Sequence, residues 1–189
     1  MLNIYKLIEI LVSLQSLVIT TMLPVYIRLP FIDKSSNIFE MPITWQLPTM
    51  ILLTLLFRKK VVFIALSLYI ILGLFISPVF HQGGSIGYLL TPNFGYLLGV
   101  FPLIQIIDNL NNRNKINVGN FLKNGFIAIC AMHATGIVYN LLQVIFYSQF
   151  NIFFYNLGKY SVGKIGYHFL TLFPLLLLIK PLKRLKHNK

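Results

Sequence analysis

Long apolar runs broken by short polar clusters set the pattern of this chain. Runs of roughly 20 apolar residues match the hydrocarbon thickness of a bilayer. Six such runs are read at residues 4–24, 43–57, 61–80, 94–108, 121–147 and 165–182. Their ends carry breakers: Pro24 closes the first, Pro42 precedes the second, and Arg58-Lys59-Lys60 divides the second from the third. The pattern predicts an all-α membrane protein, a bundle of six transmembrane helices forming one integral membrane domain over residues 1–189. The second and fourth runs are short, and a short apolar segment can also be re-entrant. Crossing is the preferred reading because the charges then sort by side.

Only 11% of residues are charged and mean hydropathy is +0.76, against about 25% charged in soluble domains. Short cytoplasmic loops are richer in Lys and Arg than external ones. With six crossings, twelve of the sixteen Lys and Arg fall on one side. Arg28, Lys34, Lys159 and Lys164 fall on the other. Both termini are therefore expected in the cytoplasm, in a multi-pass protein of the plasma membrane. The formal charge of +12 is spent on topology and needs no nucleic-acid partner, although the basic 180–189 tail is suited to anionic lipid heads. Residues 25–42 and 148–164 are expected as external loops, and 108–120 as a cytoplasmic connector. The first apolar run carries Glu9 and does not read as a cleavable signal peptide. Cys130 is the one cysteine, inside the fifth run, and reads as a packing residue.

Much chemistry is missing. There is no Gly-x-x-x-x-Gly-Lys-Ser/Thr phosphate loop. The four acids, Glu9, Asp33, Glu40 and Asp108, form no carboxylate pair, and the four histidines lack metal-ligand spacing. A nucleophile elbow is also absent. The chain is expected to bind rather than react, with no catalytic residue, metal or cofactor of its own.

The candidate site gathers on the external side. Thr44, Trp45 and Gln46 open the second run; Phe80, Gln82, Gly83 and Gly84 follow the third; Asn93 and Tyr96 open the fourth; His133 and Tyr139 lie in the fifth. Amide and hydroxyl groups supply directed hydrogen bonds and the aromatic rings supply apolar walls, as a small amphipathic ligand requires. The external cations Arg28, Lys34, Lys159 and Lys164 are the candidates to hold a carboxylate. Each residue also has a plainer role. Trp45 and Tyr96 suit an interfacial aromatic belt. Gly95 and Gly99 form a Gly-x-x-x-Gly helix contact. His133 is equally suited to bonding a neighbouring helix, and Lys164 to being a solvated loop charge.

Residues 78–99 carry no charge, five glycines and two prolines. Glycine lets backbone groups approach a ligand closely. The segment holds Pro78-Val79-Phe80, then Gly83-Gly84, then Thr91-Pro92-Asn93-Phe94-Gly95-Tyr96; upstream stands Pro42-x-Thr44-x-Gln46 and downstream His133-Ala-Thr-Gly136-Ile-Val-Tyr139. In order and spacing these resemble the BioY family, the biotin-binding membrane subunit of energy-coupling-factor (ECF) transporters, in the branch of cyanobacteria and plastids. The resemblance implies biotin as ligand; its ureido ring is then assigned to Gln46, Gln82 and Asn93 with Trp45, Phe80 and Tyr96 as walls, and its carboxylate to Lys164 first and Arg28 second. It also implies a transmembrane (T) partner subunit and two ABC-type ATPase subunits, where ATP and Mg²⁺ would bind. Two family features differ. An Asp-x-x-Lys near the last span is represented by Tyr160 to His168 with no acid, and an Ala-x-x-x-Ala docking pair on the first span by Ser16-x-x-x-Thr20. The competing readings are a polytopic membrane enzyme, such as a lipid or prenyl transferase, and a ligand-free membrane assembly protein.

Overall fold

The structure is a computed structural model, and it describes residues 4–28, 38–81, 83–112, 117–147 and 150–178. Helix α1 (Ile4–Met22) buries Ile10, Ser13, Leu17 and Thr21, a single stripe at helical spacing. Its other faces expose Leu7, Leu11 and Ile19. A helix this apolar on its outward face is matched to hydrocarbon, since lipid tails are as apolar as leucine.

After α1 the chain departs from the all-α expectation. Strand β1 (Pro24–Arg28) pairs antiparallel with β2 (Ile38–Thr44), with Val25 opposite Met41 and Arg28 opposite Ile38. The stretch read as an external loop at 25–42 thus contains a hairpin. Val25, Tyr26, Ile27, Ile38, Phe39 and Ile43 are β-branched or aromatic and favour a pleated, half-buried surface. Val25, Met41 and Ile43 bury together, with Tyr167 packed against them. Phe39 stacks on the same tyrosine at 6.3 Å. The hairpin therefore depends on a helix more than 120 residues away along the chain.

Helix α2 (Gln46–Leu56) begins one turn later than expected, because β2 runs to Thr44. Only Phe57 and Arg58 separate it from α3 (Lys59–Phe75). A short connection follows, in which Gly83 holds φ +104°, a conformation open to glycine at little cost. Gly84 packs on backbone: a Cβ there would meet the Gly73 carbonyl oxygen at 2.5 Å. A 3-10 turn (Ile86–Leu90) then leads into α4 (Pro92–Leu98), with Pro92 at the first turn, where it lacks no needed donor. The chain continues through Gly99 into α5 (Val100–Asn112).

Helix α6 (Val118–Tyr147) is 30 residues long. The segment read as an external loop at 148–164 is helical from Phe150 onward. Helix α7 (Phe150–Asn156) passes through a π turn (Leu157–Val162) into α8 (Gly163–Leu170), and residues 172–178 are helical as well. The π turn absorbs an extra residue without ending the helix. Ile4–Met22, Val118–Tyr147 and Phe150–Leu178 are long and apolar enough to cross a membrane, and α2 is a shorter apolar helix.

Glycines lock α4 and α5 to α6. A Cβ on Gly99 would collide with the Met132 carbonyl oxygen, one on Gly95 with the Tyr139 side chain, and one on Gly136 with the Tyr96 ring. Leu103, Ile104, Ile107, Phe121 and Ile129 fill the core beside this contact, all fully buried.

Candidate ligand-binding site

Where the hairpin meets the helices, a partly open cavity of about 130 Å³ forms. Its apolar floor comes from Met50, Leu97, Val100 and Met132, on α2, α4, α5 and α6. Phe80 and Tyr88 line one wall, 4.3 Å between ring centroids, with Tyr69 edge-on to Phe80 at 5.3 Å. The polar side chains are Thr44 and Gln46 from the β2–α2 junction, His81 after α3, Asn93 and Tyr96 from α4, Tyr160 from the π turn, and Lys164 and His168 from α8, beside the hydroxyls of Tyr69 and Tyr88. A concave site that combines apolar and aromatic walls with convergent polar groups is the usual form of a small-molecule site.

Of the residues singled out from sequence, Thr44, Gln46, Phe80, Asn93, Tyr96 and Lys164 border this cavity. Trp45 does not; it is 37% exposed, just before the first residue of α2. Arg28 is exposed at the end of β1 and is not part of the lining. Gly83 and Gly84 shape the turn behind Phe80 without lining the cavity. Gln82 lies outside the described residues. Tyr139 serves the scaffold. Its hydroxyl donates to the Leu89 carbonyl, which Gln143 Nε2 also reaches at 3.2 Å, so α6 clamps the glycine-rich connection.

His133 is buried behind the lining. Its Nε2 lies 3.0 Å from His168 Nδ1, and its Nδ1 3.1 Å from Ser161 Oγ. Ser161 Oγ is in turn 2.7 Å from the Tyr96 hydroxyl. Lys164 Nζ sits 5.4 Å from the centre of the Tyr160 ring, within cation–π range. Lys159 lies over the same ring at 5.4 Å but from an exposed position off the cavity. Among the described residues no cluster of His, Cys, Asp and Glu is arranged to hold a metal ion.

Sequence reasoning left out Tyr69, Tyr88 and Tyr160. Tyr69 is 1% exposed; its hydroxyl donates to the Val79 carbonyl at 3.2 Å and lies 3.0 Å from Thr21 Oγ1. A tyrosine deep within an apolar run needs a partner for its hydroxyl, and that was the signal available. Tyr88 stood in the glycine-rich segment itself.

A mostly helical chain with helices able to cross a membrane and a partly open cavity of mixed apolar, aromatic and polar lining has the form of a membrane protein with a small-molecule pocket. The BioY family model matches residues 4–170, and the chain belongs to that family. A probable biotin transporter BioY from Lysinibacillus sphaericus is 33% identical over 103 residues, covering 52% of this chain and 50% of that protein. The match thus spans about half the length of that curated relative. The fold is also similar to the crystal structure of an S-component for biotin from an ECF-type ABC transporter, with TM-score 0.62, 18% identity, and 99% of this chain and 95% of that one covered.

Proposed function

We propose that this chain is the S component that captures biotin outside the plasma membrane and delivers it inward within an ECF-type ABC transporter. The observation that carries the reading is the cavity itself. It offers a lysine, amides, hydroxyls and imidazoles among apolar and aromatic side chains. Biotin matches this set, with an apolar thioether ring, a neutral ureido group and a carboxylate. Gln46 and Asn93 are assigned to the ureido group, together with Gln82. Phe80, Tyr88 and Tyr96 are the walls, and Lys164 holds the carboxylate as a charge-assisted pair. The relative named a probable biotin transporter and the structural neighbour named an S-component for biotin support the same ligand.

The protein acts as a single membrane domain of six crossings with both termini cytoplasmic, α4 and α5 together making one crossing. It is a binding subunit and no enzyme. Energy comes from a T subunit and two ABC-type ATPase subunits, which bind ATP and Mg²⁺. Equilibrium binding of radiolabelled biotin to the purified protein in detergent tests the reading. Saturable binding at one site is expected. Loss of the label to excess buffer alone, with the protein still folded, would refute it.

A further inference from the structure

Four polar side chains from four segments join end to end. Tyr96 on α4 meets Ser161 of the π turn at 2.7 Å, Ser161 meets His133 Nδ1 on α6 at 3.1 Å, and His133 Nε2 meets His168 Nδ1 on α8 at 3.0 Å. The middle members, Ser161 and His133, are buried at 4% and 2% exposure. Both ends, Tyr96 and His168, border the ligand cavity, and so does Lys164. A neutral imidazole carries one N–H and one bare nitrogen, and a hydroxyl carries one hydrogen. Each link therefore holds a single hydrogen. Among the described contacts buried Ser161 has no other acceptor, so it donates to one neighbour and accepts from the other. All the links must then point the same way.

Only two arrangements satisfy the row. In one, Tyr96 donates to Ser161, Ser161 to His133 Nδ1, and His133 Nε2–H to His168 Nδ1. His168 then carries its proton on Nε2, and the Tyr96 oxygen is left as an acceptor. In the other, every hydrogen is reversed. His168 Nε2 is bare and Tyr96 keeps a hydroxyl hydrogen free to donate.

We propose that this row is a polarity relay by which Ser161 and His133, neither of which lines the cavity, set together the donor and acceptor character of two points on the cavity wall. The inference rests on the biotin reading and deepens it. A carboxylate beside Lys164 only accepts, so it selects His168 as an Nε2–H donor. That choice passes through His133 and Ser161 and turns the Tyr96 hydrogen away from the cavity. The Tyr96 oxygen is left to accept a ligand N–H. The relay thus favours ligands with an acceptor at one end and an N–H donor at the other, which biotin has. Ligands with acceptors at both ends leave one group unpaired, at the cost of a buried polar atom.

The test is ¹⁵N NMR of the full chain, labelled at histidine, in detergent with and without saturating biotin. Wild-type protein with biotin is expected to show His133 and His168 both as Nε2–H tautomers, and protein without biotin a mixture. Ser161→Ala is expected to weaken biotin binding about tenfold, and Ser161→Thr, which keeps the hydroxyl, to bind within about twofold of wild type. His168 as the Nδ1–H tautomer or as imidazolium with biotin bound would overturn the relay. So would a tautomer pattern unchanged by biotin, or a folded Ser161→Ala that binds like wild type. The tautomer measurement needs no variant, so it stands even where Ser161→Ala does not fold. Absence of biotin binding by folded wild-type protein would refute the biotin reading, and this relay with it; bound biotin with the wrong tautomer would refute the relay alone.

Discussion

Lys164 and Asn93 occupy different walls of the cavity, one on α8 and one on α4. A hydrogen bond to a charged group contributes about 1.5–3 kcal/mol, so Lys164→Ala is expected to weaken biotin binding about tenfold to a hundredfold. Asn93→Ala is expected to fall in the lower part of that range, because the bonds proposed for it to a ureido group would be neutral. Isothermal titration in detergent reads both. Wild-type affinity in a folded Asn93→Ala protein would remove the glycine-rich connection from the site. Two controls should stay near wild type. Trp45→Phe changes a ring that does not line the cavity, and Lys59→Ala changes a lysine bonded to Gln105 at 2.9 Å, away from it.

Helix contacts are set where backbone meets backbone. Gly99 is the tightest such place between the α4–α5 unit and α6, because the atom facing it is a main-chain oxygen, not a movable side chain. Gly99→Val forces the helices apart, and overpacking of this kind costs about 1–3 kcal/mol. Its melting temperature in detergent is expected to fall well below wild type. Gly166, within α8, has open space where a Cβ would stand, with nothing within 4 Å, and no left-handed φ. Gly166→Ala is therefore expected to hold or slightly raise the melting temperature, by up to the roughly 0.5–1 kcal/mol that alanine gains over glycine in a helix. Equal losses at both sites would mean that helix propensity, not close approach, explains Gly99. The hairpin is an element of another kind. Its buried face is three residues and Tyr167, so Tyr167→Ala is expected to increase amide exchange across Pro24–Arg28 and Ile38–Thr44 before it affects α6.

For the whole molecule, orientation is the open quantity that charge predicts. In a Cys130→Ala background, cysteine at Asn114 is expected to react only with reagent supplied from the cytoplasmic side, and cysteine at Ser85 only from outside. The reverse pattern would invert the topology and put the cavity on the cytoplasmic face. Reconstituted alone in vesicles, the chain is expected to bind biotin but not to accumulate it against a gradient, since no phosphate loop is present in its sequence. Uphill accumulation without ATP or partners would remove the need for the energising subunits.

The amino-acid sequence by itself determined that the chain is apolar and helical, and where most helices fall, because hydrophobic run length and breaker residues are local properties. It also placed Gln46, Phe80, Asn93 and Tyr96 in motifs that the structure gathers around one cavity. The hairpin escaped it because Val25, Met41 and Ile43 become a buried face only against Tyr167. The helical course of 150–164 escaped it because the polar and glycine residues there mimic a loop, while a π turn carries the helix through them. Trp45 and Tyr139 are aromatic like Tyr69 and Tyr88, and only the packed structure puts the latter two on the cavity lining and leaves the former two off it. His133, Ser161 and His168 lie 28 and 35 residues apart in the pairs that touch. No local pattern encodes that meeting, because it exists only once α6 and α8 have packed side by side.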